Sequence, residues 1–205
     1  AWTWRARKAD AGLGALGDLG CHLVSLAVAL VGPVESLIAE MKTVHETRPV
    51  GEGSDARRPV ENEDIASALL TFRNGVHGVF STSRSAWGRK SYIAFEVHGT
   101  EGTITFDQER MNELRLYQSR GPVAEQGFKT LLTGPAHPPF GNFVPAAGHQ
   151  LGFNDLKVIE AHEMLCAVAE GREAVPAFHD ALHFEEVIHA IAEAGESGRR
   201  VIVGG

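Results

Sequence analysis

Two side chains four residues apart, Asp18 and His22, are of the types that move a proton. A carboxylate beside an imidazole holds the ring in one orientation, the arrangement a general base needs when it takes a proton from an alcohol. Both lie in AGLGALGDLGCHLVSLAVALVGP, from Ala11 to Pro33. Asp at a helix start is also an ordinary cap, and a helical His is also an ordinary surface or core residue. Spacing alone favours that plainer reading.

The elements that must position the pair are legible around them. Leu19, Leu23, Leu26, Ala27 and Leu30 recur at helical spacing, so a helix with a buried face is expected. Gly32 suits the left-handed position past its end, and Pro33 prevents continuation. Asp18 then falls in the first turn, where the helix dipole favours a carboxylate, and His22 lies one turn further on the same side. Gly12, Gly14 and Gly17 match G-x-G-x-x-G, which binds a dinucleotide only when it follows a hydrophobic strand. The preceding AWTWRARKADA contains no Val, Ile or Leu and carries Arg5, Arg7 and Lys8, so that strand is missing. The glycines are read instead as bringing backbone close to a ligand or another domain.

With 205 residues, 43% hydrophobic and 22% charged, the chain is expected to fold as one domain over 1–205. A net charge of −7 argues against nucleic-acid binding. No apolar run is read as long enough to span a membrane, and no signal-peptide pattern opens the chain. Cys21 and Cys166 sit in apolar helical contexts and read as reduced core residues of a cytoplasmic protein. Trp2 and Trp4, so near Ala1, suggest that something upstream is missing.

Residues 34–44 have the length and apolar content of a strand, and 46–62 read as a charged surface loop. Two strand-like runs flank Asn74-Gly75, a strong hairpin signal. In the first, Ala66, Ala68, Leu70 and Phe72 form an apolar face, with Ile65, Ser67, Leu69 and Thr71 opposite. Residues 91–98, a turn at Gly99-Thr100-Glu101-Gly102, the run TITFD and a strand from Asn112 extend the pattern. Residues 119–153 read as a long loop, Asn154 as the cap of a helix closed by Gly171, and 180–196 as a last helix. The run at 200–203 can add an edge strand. The class is α+β, a large, mainly antiparallel sheet with helices on one face.

Other chemistry fits less well. His162-Glu163 opens a zinc-protease pattern, but Cys166 stands where its second His belongs. His179, His183 and His189 lack a carboxylate or Cys at ligand spacing, so no metal site is expected. No G-x-S-x-G elbow is present. Trp87, Arg89 and Lys90 read either as a surface turn or as contacts to hydroxyls or phosphates at the sheet edge.

The segment GLGALGDLGCH resembles the opening of the C-terminal domain of the glucose–fructose oxidoreductase / inositol dehydrogenase / rhizopine-catabolism (Gfo/Idh/MocA) oxidoreductases. The likeness continues through Trp4-Arg5, Glu63-Asp64, Ser83-Arg84, Gly88-Arg89-Lys90, the 99–102 turn, residues 109–114, Gly152 to Asp155 and the ending FHDALHFEEVIHAIAEAGESGRRV. The resemblance implies a dihydrodipicolinate-reductase-like C-terminal domain whose Rossmann partner, with the catalytic Lys, is absent from this chain. It implies that Asp18 and His22 match the family's substrate-binding Asp and catalytic His. Arg5, Ser25, Trp87, Arg89 and His149 are the candidate substrate-binding residues. Ser25 stands where many members carry an acidic residue that contacts polyol hydroxyls. The implied function is the substrate-binding half of an NAD- or NADP-dependent sugar, inositol or polyol dehydrogenase, with the cofactor held mainly by the missing half. A homodimer or homotetramer through the open sheet face is expected, because apolar residues lie on both faces of strands 63–73 and 91–98. The alternative is a free-standing ligand-binding or oligomerisation domain without catalysis.

Overall fold

The computed structural model describes residues 1–204. In chain order it contains a short helix α1 (Lys8–Ala11), a π-helical turn (Leu16–Gly20), α2 (Cys21–Val31), β1 (Val34–Lys42), β2 (Thr47–Pro49), β3 (Arg57–Pro59), β4 (Ile65–Phe72) and β5 (His77–Ser83). There follow β6 (Ala94–His98), β7 (Gly102–Asp107), β8 (Glu113–Gln118), β9 (Lys129–Leu132), α3 (Phe153–Glu170), α4 (Phe178–Ser197) and β10 (Val201–Ile202). The class is α+β, and every strand pairing among the described residues is antiparallel. The strands are distributed over two four-stranded sheets and one two-stranded ribbon.

The chain forms two compact units, Ala1–Trp87 with the segment from Pro176 onward, and Gly88–Val175. In the first, the sheet order is β10-β1-β4-β5. The alternation in β4 holds: Ala66, Ala68, Leu70 and Phe72 are buried, while Ser67 and Leu69 face outward. The buried face packs against α4, which contributes Val187, Ile188, Ile191 and Ala194, and against Val24 of α2. Asn74-Gly75 makes the expected hairpin, with Phe72 N–H donating to Val76 O (2.9 Å) and Gly75 at φ +82°. Asn74 also closes α2, donating from Nδ2 to Val31 O at 2.8 Å. On the outward face Ile38, Leu69 and Val79 stand in register across three strands and are exposed.

The second unit carries the order β6-β7-β8-β9. Asn112, at the start of β8, ties its long connection down: Nδ2 donates to Leu151 O, and Oδ1 accepts from Leu151 N–H and the Thr133 hydroxyl, at 2.8–2.9 Å.

Several expectations need correction. Residues 46–62 are not simply loop, because β2 and β3 pair within them, and 119–153 contain β9, which pairs with β8. All three strands, of three or four residues, are too short to leave an alternating signal. Gly152, not Asn154, caps α3, and the Asp155 carboxylate accepts its N–H at 2.7 Å. Gly32 does have positive φ (+120°), but its ψ of −177° is not left-handed helical. The stretch Lys8–Val31 has the length and mean hydropathy (1.7) of a membrane span, against the composition reading. Here it is broken by the glycine turn, and 28% of its apolar window is buried, with Leu16 and Val24 in the core.

Asp64, at the entrance to β4, is 1% exposed. Its Oδ2 accepts N–H from Val44 (2.8 Å) and His45 (3.1 Å), and its Oδ1 accepts from Arg48 Nη2 at 3.0 Å. Burial alone would push the carboxyl up, but the His45 and Val44 N–H groups and the Arg48 guanidinium outweigh it and hold the carboxyl below the usual range. A carboxyl held low in the folded state contributes stability above its unfolded value, about pH 4, which is lost as pH falls through the folded value. Asp64→Asn is expected to cost about 2–4 kcal/mol at neutral pH. In urea titrations at several pH values, the deficit should shrink as pH drops below about 4.

Candidate active site

The site begins with a close approach of backbone. A Cβ on Gly14 would lie 2.1 Å from Glu63 O and 2.9 Å from Asn62 Cβ, so only glycine lets the turn lie on the strand entrance. Ala15 N–H donates to Glu63 O (3.0 Å), and Leu16 N–H donates to the buried Glu63 Oε1 (2.8 Å). These bonds satisfy two donors that the start of a helical segment otherwise leaves open. The turn is thus filled by its own fold. It follows a short helix rather than a strand, and its glycine contact is spent on Glu63, so it does not fit a dinucleotide pyrophosphate.

Asp18 lies in the π-helical turn with its side chain 46% exposed. Its carboxylate caps nothing: among the described residues Oδ2 accepts from Arg5 Nη1 at 3.4 Å and Arg84 Nη2 at 3.3 Å. The ordinary cap reading therefore fails. Such partly exposed ion pairs typically contribute about 0.2–1 kcal/mol, so their effect is mainly on orientation. Asp18, Arg5 and Arg84 line a cleft of about 660 Å³ between the glycine turn and α4, with Trp4, Ile188, His189 and Glu193 among the other walls. At one side Lys8 Nζ meets Glu196 Oε1 at 2.8 Å, and this hydrogen bond holds the lysine above and the glutamate below their ordinary ranges.

His22 is exposed on the first turn of α2 and Ser25 half-buried one turn on. No hydrogen bond joins Asp18 to His22 among the described residues, and His22 is not in the cleft wall. Trp87 is 96% exposed at the end of the first unit. Arg89 and His149 belong to the second. There Arg89 donates to Glu109 (2.9 Å) and stacks over Tyr92 at 3.9 Å, while His149 Nδ1 lies 3.2 Å from Ala146 O. The Lys90 N–H and the Arg89 guanidinium hold the Glu109 carboxyl below its usual range. The structure thus brings Arg5 to Asp18 and adds Arg84, which composition did not single out. The signal was available: Phe80 and Thr82 face inward and are buried, and Arg84 continues that parity just past the end of β5.

A model of the GFO/IDH/MocA C-terminal domain matches residues 1–105. The chain belongs to this family. It is 36% identical over 203 residues to levoglucosan dehydrogenase of Pseudarthrobacter phenanthrenivorans, covering 94% of this chain and 52% of that protein. A solved levoglucosan dehydrogenase in complex with NADH and L-sorbose superposes with a TM-score of 0.93 at 37% identity, covering 98% of this chain and 53% of that one. An NAD binding oxidoreductase from Klebsiella pneumoniae gives 0.93 at 38% identity, covering 100% of this chain and 54% of that one. The chain therefore spans about half the length of the relatives it matches.

Since the glycine turn is stapled to Glu63, Gly14→Ala is expected to lose about 1–3 kcal/mol or more of stability, measured by urea unfolding. Gly51→Ala, with nothing within 4 Å of the added carbon, should stay within about 0.5 kcal/mol of wild type.

Proposed function

We propose that this chain is the substrate-side half of an NAD-type sugar or polyol dehydrogenase, with His22 as general base and Asp18 as a substrate-hydroxyl ligand. The observation that carries the proposal is the state of Asp18: its carboxylate is spent neither on capping nor on burial, and guanidiniums hold it at the lip of a cleft. Identity of 36% to levoglucosan dehydrogenase across nearly the whole chain supports a sugar as substrate class. Oxidising an alcohol carbon to a carbonyl removes the hydroxyl proton and a hydride, and a nicotinamide cofactor accepts the latter. His22 is exposed on the first turn of α2, where Val24 is buried while Leu19 and Leu30 of the expected apolar face are not, and its imidazole is assigned to take the proton. Asp18 accepts a hydrogen bond from a neighbouring hydroxyl, and Arg5, Ser25 and Trp87 of the same unit are further substrate contacts. No residue of this chain is assigned to the dinucleotide, because its only G-x-G-x-x-G turn does not fit one. The free thiols Cys21 and Cys166 suit a reducing, cytoplasmic setting.

The apolar row of Ile38, Leu69 and Val79, beside a row of Glu40, Ser67 and Ser81, supports a homodimer or homotetramer through the outward sheet face. Light scattering should give a mass of two or more chains, reduced to one by Leu69→Glu.

In the full-length protein, His22→Ala should lower turnover by about 10²–10⁴-fold with the melting temperature unchanged, since alanine is the better helix former. A folded variant within a few-fold of wild type on a sugar or polyol substrate would defeat the catalytic reading. The 205-residue chain alone should show no NADH binding by calorimetry at micromolar concentration.

A further inference from the structure

We infer that Arg84 is a positioning residue for Asp18: it fixes one carboxylate oxygen so that the other is presented to the substrate. The inference rests on the reading of Asp18 as a substrate ligand. Both guanidinium contacts fall on the same atom, Oδ2, while Oδ1 has no hydrogen-bond partner among the described residues. A carboxylate held on one oxygen turns less freely than an unheld one, and its second oxygen is left as an open acceptor. That is how an acceptor is aimed at a hydroxyl before the substrate arrives.

The two arginines are not equivalent. Arg84 is anchored at the entrance of β4: its N–H donates to Asp64 O at 3.0 Å, and Asp64 is itself held by Val44, His45 and Arg48. Its side chain is 24% exposed, whereas that of Arg5 is 56% exposed and extends from a three-residue turn, Trp4–Ala6. The less exposed donor, tethered at the sheet, defines the orientation. The more exposed donor at the cleft mouth has more room to follow the ligand. Arg84 therefore acts through Asp18 on the chemical step, and Arg5 acts mainly on binding.

A double-mutant cycle in the full-length protein tests this, with kcat and KM measured separately for Arg84→Gln, Asp18→Asn and the pair, beside Arg84→Lys and Arg5→Gln. Arg84→Gln should lower kcat by about 10–100-fold with KM changed by less than about threefold. Arg84→Lys should recover part of that loss, because an ammonium supplies the charge without the planar fork. Arg5→Gln should chiefly raise KM. The double variant should match Asp18→Asn within about twofold, since a residue that works through another adds nothing once the other is disabled. Melting temperatures within about 4 °C of wild type would exclude a folding defect. If Arg84→Gln unfolds the protein, Arg84→Lys against Asp18→Asn serves for the same cycle.

Losses from Arg84→Gln and Asp18→Asn that multiply in full would overturn the inference, as would an Arg84→Gln enzyme with unchanged kcat. Both outcomes differ from failure of the proposed function. In that case Asp18→Asn and His22→Ala would themselves turn over like wild type, and Arg84 would have nothing to position.

Discussion

The contact on which the first unit depends is the one between Gly14 and the backbone of Glu63. Because glycine has no side chain, the turn lies on the entrance of β4, and Glu63 then supplies both its carbonyl and its carboxylate to the N–H groups of Ala15 and Leu16. The next residue, Asp64, accepts the N–H groups of Val44 and His45 on its carboxylate at the other side of the strand entrance. Two adjacent acidic residues thus fasten two separate segments to one point of the sheet. Leu16, fully buried, locks the turn into the core from below. Any larger side chain at position 14 would lift the turn and displace Asp18 with it. The G-x-G-x-x-G pattern is therefore read correctly as close approach, but what it approaches is the protein's own strand.

Much of this fold was legible from local chemistry. The Asn74-Gly75 hairpin, the two-faced alternation of β4, the edge strand at the C-terminus and the glycine stops of α3 and α4 all rest on interactions within a few residues. What escaped was set by distant partners. β2, β3 and β9 form because another strand lies alongside, with no pattern of their own. Asn74 announces a turn, but its bond to Val31 is invisible in sequence. In the site, the residue types and family likeness singled out Asp18 and His22. Arg84 is 66 positions from Asp18, and only the folded sheet brings it there.

The two site residues are also positioned by different elements, and the π-helical turn is why. In an uninterrupted α-helix, residues four apart are neighbours and their side chains meet. The turn over Leu16–Gly20 is wider by one residue, and a wide turn of this kind is typical of functional sites. Gly17 and Gly20 allow it: a Cβ at position 20 would press on Leu16, Phe80 and Ile188 at 3.1–3.4 Å, so the widened turn packs directly on the core. The carboxylate of Asp18 then points to guanidiniums from Arg5 and the end of β5, while His22 rides on the regular turn of α2. Asp18 and His22 are consequently joined by the helical backbone that runs from the widened turn into α2, with no hydrogen bond between their side chains among the described residues. On the proposed reading, a substrate hydroxyl meets either group without first breaking a bond between the two. An Asp–His pair locked together would have to surrender that contact at the moment of binding, whereas the proposed roles leave Asp18 held by Arg5 and Arg84.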